Sequence, residues 1–153
     1  DVAAMGDQGA QVFAAHGSSL GATMVAASML VKTLSAGGRA ENWGRRWMRA
    51  HGGRLASAYL FSRFSMGMST ADLAALMKSG MLSPAGMSAG LLQKTPRASL
   101  RDICVMIRGA SQNLGLISRI APMVARIGLS LLMYAVYTGP NASWEDRIGK
   151  IME

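Results

Sequence analysis

The side chains best placed to do chemistry in this chain are arginines. Between residues 39 and 63 the sequence carries Arg39, Arg45, Arg46, Arg49, Arg54 and Arg63 against a single acid, Glu41. A second group, Arg97, Arg101 and Arg108, recurs at spacings of four and seven, which return to one face of a helix turning about 100° per residue. Arginine is preferred over lysine by 12 to 4. A guanidinium is a planar fork of donors that grips phosphate with two hydrogen bonds and stacks on bases, whereas lysine is the commoner choice for solubility alone. The chemistry expected of these nine arginines is therefore neutralisation of a polyanion's phosphates.

Other chemistries lack their parts. His16 and His51 are the only histidines and Cys104 is the only cysteine, so no pair stands at a metal-ligand spacing. "GMSAG", Gly86 to Gly90, matches the G-x-S-x-G of hydrolases, but that motif works on a strand-to-helix turn. Here "MLSPA" precedes it, which reads as a helix start, and the same glycines read better as a small-residue packing face. Cys104 lies in "DICVMIRG" and is expected as a small buried hydrophobe. Of the eight acids, Asp72, Asp102 and Asp146 stand at helix-cap spacing, while Asp1 and Glu153 are terminal. No site remains with two unexplained carboxylates on one face for acid–base work, and no glycine-rich phosphate loop is present. A catalyst is not expected, nor a cofactor, nor a small-molecule substrate.

Something must hold the arginines in place, and composition says what. A chain of 153 residues, half of them hydrophobic, can bury a core without disulfides. With 13 methionines, that core is adaptable to repacking. The net charge of +8 calls for an acidic partner, either nucleic acid or an anionic membrane surface. A lone cysteine suits a reducing compartment, so the expected location is the cytoplasm or a virus-like particle, not a secreted state, and the "NAS" sequon at Asn141 is read as chance. A first residue that is Asp, not Met, is what a product cut from a larger precursor would show.

Strand patterns are nearly absent and helix starts recur. Ser69 with Asp72, Ser99 with Asp102 and Ser143 with Asp146 match the capping box. Ser83-Pro84 and Thr95-Pro96 place a proline in the first turn, and Gly80 and Gly139 mark stops. The fold expected is all-α: a compact single domain over residues 1–153, bundled from about eight helices. They fall near 8–16, 19–35, 40–51, 54–66, 70–79, 84–93, 97–112 and 122–137, with a short tail helix at 144–152. Met24, Ala27, Met29 and Val31 are apolar most of the way round, which predicts a central helix at 19–35. Arg119, Pro122 and Arg126 interrupt the apolar run Leu114 to Tyr137, which is expected as a buried core helix and not a membrane span.

Within "RAENWGRRWMRAHGGR", helical spacing gathers Trp43, Trp47 and Ala50 in one sector, with His51 at its edge. Arg45 and Arg49 fall opposite, Arg46 flanks the tryptophans, and Gly52-Gly53 is expected to end the helix. The tryptophans should face the core and the arginines solvent. "NWGR", Asn42 to Arg45, also resembles the first homology region of the B-cell-lymphoma-two family of apoptosis regulators. "VAAMGD" and "NASWED" resemble that family's death motif and second homology region. The resemblance implies an all-α bundle whose groove takes an amphipathic helix, with Asn42, Trp43, Gly44 and Arg45 lining or supporting it.

The function expected from the residues themselves is different. It is a non-catalytic, basic structural protein that self-associates and binds phosphate without reading sequence, as capsid, nucleocapsid or matrix subunits of viruses do. Alternatives are the groove-bearing apoptosis regulator and a subunit of a membrane-associated complex.

Overall fold

The computed structural model describes Met5, residues 19–79, Ser88, residues 100–111 and residues 114–153. Among them every regular element is helical and no strand occurs, as an all-α chain requires. The helices are α1 (Leu20–Ser35), α2 (Ala40–Trp47), a π-helical turn (Met48–Gly52), α3 (Gly53–Met66), α4 (Thr70–Lys78), α5 (Leu100–Ser111), α6 (Leu114–Ala135) and α7 (Ala142–Met152). The chain divides into two compact units: Asp1–Leu60 with Arg126–Glu153, and Phe61–Ala125. The helices expected at 8–16 and 84–93 lie outside the described residues, apart from Ser88 in the second.

The core of the first unit is small side chains meeting large ones. Ala22 and Ala26 of α1 are buried against Trp43 and Trp47 of α2, with Met5, Met29, Leu30, Met48 and Leu55 packed around them. The Trp43 indole N–H donates to the Ala26 carbonyl at 2.9 Å. The chain reverses between α1 and α2 in a left-handed cap. Gly37 takes φ +73°, its N–H donates to the Leu34 carbonyl, and the Gly38 N–H donates to the Thr33 carbonyl. That pair of bonds satisfies two carbonyls the helix end would leave bare, and only glycine adopts the required φ cheaply.

α1 is not the central helix that its apolar residues suggest. Only Ala22, Ala26 and Thr33 are buried, while Leu20, Met24, Val31 and Leu34 face out. All-round hydrophobicity says that a helix tolerates burial on every side, not that neighbours exist to bury it.

Gly52 and Gly53 do not end a helix, contrary to expectation. The backbone passes through a π-turn and continues as α3, with Gly53 at a helical φ of −60°. Both glycines are buried. A Cβ on Gly53 would lie 3.0 Å from Leu131 Cδ2, and one on Gly52 would run into the Tyr134 ring. Glycine serves here for close approach to α6, not for a left-handed stop. The extra residue of the π-turn also shifts the helical register, so Ala50, expected beside the tryptophans, is exposed.

In the second unit Leu76 of α4 and Leu116 and Ile120 of α6 form the buried centre, with Phe64, Met68, Ala75 and Met123 against them. Ser69 caps α4 as its spacing predicts, accepting from the Asp72 N–H at 3.1 Å. Arg119 meets Asp72 at 2.8 Å. The stripe expected on α4 is narrower than its pattern, because Leu73 and Met77 are exposed and only Leu76 is buried. The side chains of Ile103, Met106, Ile107 and Ala110, expected as a stripe on α5, lie outside the described residues, as do Ser99, Gly80 and Arg97.

α6 starts eight residues before the expected boundary and holds Pro122 in its interior. An interior proline costs about 3 kcal/mol. The periodic burial of Leu116, Ile120 and Met123 continues across it and offsets that cost. The expectation of a buried core helix fails: 17% of the apolar stretch of α6 is buried, and Leu114, Leu132 and Val136 stand open. α7 is capped by Asn141, whose Oδ1 accepts from the Trp144 N–H at 2.8 Å, and not by Ser143. Starting two residues earlier, α7 sets Trp144 edge-on to Tyr134 and Tyr137 at centroid separations of 5.0 and 4.7 Å. Asp146, freed from capping, pairs with Lys150 at 2.7 Å.

The close approach at Gly52 gives a test. Gly52→Ala is expected to lower the unfolding free energy by about 1–3 kcal/mol, the cost of overpacking. Gly44→Ala, at a site with nothing within 4 Å of a new Cβ, should be neutral or slightly stabilising. Urea titration of the two variants side by side measures the contrast.

Candidate polyanion interface

The arginines of α2 are held outward because its tryptophans are held inward. Trp43 and Trp47 lie one turn apart and are 6% and 3% exposed, so both indoles are committed to the core. Arg45 and Arg46 then project into solvent. Arg39 sits at the N-cap of α2 and pairs with Glu41 at 3.5 Å, with both side chains largely exposed. Such an exposed pair is weak and yields readily to a better anion.

Arg49 and Arg54 have structural work that the sequence does not advertise. Arg49 is exposed, but its Nε donates to the Tyr137 carbonyl at 2.6 Å, just beyond the end of α6. A cation there also complements the negative end of that helix. Arg54 is half-buried and donates to His51 Nδ1. His51 stacks on Trp47 with ring centroids 4.2 Å apart. Desolvation first, and then the Arg54 charge, push the His51 pKa below its usual 6.5. Burial raises the Tyr137 pKa, Glu145 raises it further, and Arg45 opposes both. Arg45 thus lies close enough to the C-terminal end of α6 for its charge to be felt there.

The first unit therefore carries Arg39, Arg45, Arg46, Arg49 and Arg54, of which all but Arg54 are exposed. Arg126 and Arg147 are also exposed in this unit, and neither stands out in the sequence. Arg126 looks like an interruption of an apolar run, and Arg147 is a single cation beside two acids. In the second unit Arg63 is exposed on α3, and Arg101 and Arg108 are exposed on one side of α5. Cys104 lies between them and is exposed, which corrects the expectation of burial. Three residues from Arg101 and four from Arg108, it shares the arginines' side of the helix, away from buried Gly109.

The described residues contain no cluster of three or more His, Cys, Asp or Glu side chains that could hold a metal. Of "GMSAG", only Ser88 is described, and it is helical and exposed. In the "NWGR" tetrapeptide, Asn42 and Arg45 are exposed, Gly44 is half-buried and Trp43 is spent on the core. Compared with protein-family models, curated proteins and solved structures, the chain matches none.

His51 supplies a pH test with a definite sign. Its folded pKa is depressed, so the unfolded chain takes up a proton first as pH falls. The stability this site contributes is whole above about pH 6.5 and is lost as pH drops through the lower folded value. Denaturation midpoints measured from pH 7.5 to pH 5 should fall for the native chain. They should fall less for His51→Gln, and equal slopes would remove His51 as the cause.

Proposed function

We propose that the chain is a basic, non-catalytic structural protein that self-associates and neutralises the phosphates of a nucleic acid, in the manner of a capsid, nucleocapsid or matrix subunit. Its frame would be a single all-α domain over residues 1–153, bundled from about eight helices. Its place would be the cytoplasm or a virus-like particle. The observation that carries the reading is the division of α2. Trp43 and Trp47 are buried while Arg45 and Arg46, from the same two turns, are exposed. A helix anchored this firmly fixes the backbone from which the guanidinium groups project, and cations on a pre-set frame lose less freedom on meeting phosphate. Recognition of this kind is salt-sensitive and indifferent to base sequence.

A second reading, a subunit of a membrane-associated complex, draws on α6. Its 22 residues are long and apolar enough to cross a bilayer, with a mean hydropathy of 1.5, no acidic residue and 17% burial over its apolar stretch. Arg119 and Arg126 favour an anionic surface as the partner.

Duplex binding against salt concentration separates the two. The native chain should show log affinity falling linearly with log salt. The double variant Arg45→Gln/Arg46→Gln should lose about 1.5 from that slope, since each phosphate contact contributes about 0.7–0.9. Affinity unchanged from 50 to 200 mM salt (roughly the span that costs a phosphate binder 10³ or more) would sink the nucleic-acid reading. Selective binding to vesicles containing phosphatidylserine, without duplex binding, would replace it with the membrane reading.

A further inference from the structure

The outward side of α1 is a row of apolar residues with no neighbour among the described residues to account for it. Leu20, Met24, Val31 and Leu34 are 73%, 66%, 61% and 50% exposed, and Ala27 between them is half-buried. Their successive spacings are four, three, four and three. That is the 3.5-residue repeat of a helix that packs along another helix. The opposite side of α1, Ala22, Ala26 and Thr33, is already occupied by the unit's own core.

The row has a further property: its sizes read nearly alike in both directions. Large residues stand at the ends, Leu20 and Leu34, with Met24 and Val31 inside them and the smallest, Ala27, at the centre. A two-fold axis through Ala27 would set Leu20 against the partner's Leu34 and Met24 within one residue's rise, about 1.5 Å, of the partner's Val31. The two helices would come closest where the side chain is smallest. A two-fold interface must be self-complementary in this way. One flank of the row is Gly21, Ser28 and Ser35, at intervals of seven, all small and uncharged. A helix lying in a lipid surface would carry Lys or Arg along that border. Between Ser19 and Gly38 there is one charge, Lys32, in a chain of net +8, so two like-charged copies repel little along this helix.

The area is sufficient for a weak, specific pair. A buried Leu, Met or Val removes on the order of 100 Å² from water. Five residues from each copy, with the small flank, reach roughly 1,000 Å², where specific interfaces begin.

We propose that α1 pairs antiparallel with α1 of a second copy about a two-fold axis near Ala27, through Leu20, Met24, Ala27, Val31 and Leu34. The proposal rests on the assembly reading above and gives it a surface. The pair is apolar, so salt leaves it unchanged or strengthens it, opposite to phosphate binding.

Disulfide trapping of the full chain tests the geometry, with Cys104→Ser as background. Ala27→Cys should give a covalent dimer on mild oxidation. Leu20→Cys should cross-link with Leu34→Cys in a mixture and far less with itself. A Leu20→Cys homodimer formed as readily as the mixed one would overturn the antiparallel arrangement. Sedimentation velocity of Val31→Glu should show dimer affinity reduced at least a hundredfold, with helical circular dichroism intact because the site is exposed. If Val31→Glu still dimerises and Ala27→Cys does not cross-link, the α1 pair is refuted and the assembly reading stands. A native chain that stays monomeric at every concentration removes both. A monomer whose binding to phosphatidylserine vesicles is lost in Val31→Glu assigns the row to lipid and refutes the pair.

Discussion

One hydrogen bond sets the orientation of the first unit: the Trp43 indole N–H to the Ala26 carbonyl, 2.9 Å long, buried, and joining residues 17 apart in sequence. Its net worth is about 1 kcal/mol, but leaving that N–H buried and unpaired would cost about 1–3 kcal/mol. The bond therefore acts mainly as a constraint. With Trp43 and Trp47 seated over Ala22 and Ala26, α2 has one rotation about its own axis and α1 has one buried face. Alanine at both positions lets the indoles come down onto the α1 backbone. Larger residues would hold the rings off, and the hydrogen bond could not form. The outward arginines of α2 and the outward apolar row of α1 both follow from this single seating.

The π-turn after α2 is the second constraint. One extra residue at Met48–Gly52 lets the helix bring Arg49 to the Tyr137 carbonyl and His51 beneath Trp47, while Gly52 and Gly53 pass against Tyr134 and Leu131. An uninterrupted α-helix would turn these residues elsewhere. The irregular turn is held by the groups it joins: a cation at a helix end, a ring stack and two side chains resting on bare backbone. Arg49 is thus fastened as well as exposed. It belongs to the fold first, and whatever anion it meets must share its guanidinium with a carbonyl.

The parts legible in the sequence were those governed by residues close together in the chain. The all-α character, the start of α4 at Ser69 and the two-faced α2 follow from caps and from 100° periodicity. What periodicity cannot give is the set of neighbours. Gly52 and Gly53 read as a stop because glycine weakens a helix, and the reason they are inside one is Tyr134, some eighty residues later. Asn141 displaced Ser143 as a cap because Trp144 gains Tyr134 and Tyr137 by it. α1 and α6 are apolar enough for burial, and no pattern within either helix says which side is left uncovered. Likewise the arginines were readable from composition, but the structural ties of Arg49 and Arg54 were not, since their partners are a backbone carbonyl and a ring nitrogen.

The two outward features of the first unit are related by the seating of α2 on α1. The buried face of α1 meets α2, so its apolar row, on the other side of the same helix, points away from α2. Arg45 lies opposite the tryptophan side of α2 and so points away from α1, while Arg46 flanks that side and is exposed. A pair of chains joined through α1 would then keep both sets of arginines out of the joint and carry one on each side. Two weak phosphate-binding faces on one rigid pair act with an effective concentration that neither has alone, and avidity can exceed single-face affinity by about 10²–10⁴. Weak pairing and weak phosphate binding would then reinforce each other: a polyanion long enough to reach both faces raises the local concentration of copies, and pairing raises the affinity for the polyanion. Under the proposed reading, that mutual reinforcement would be the physical route from non-specific contact to assembly.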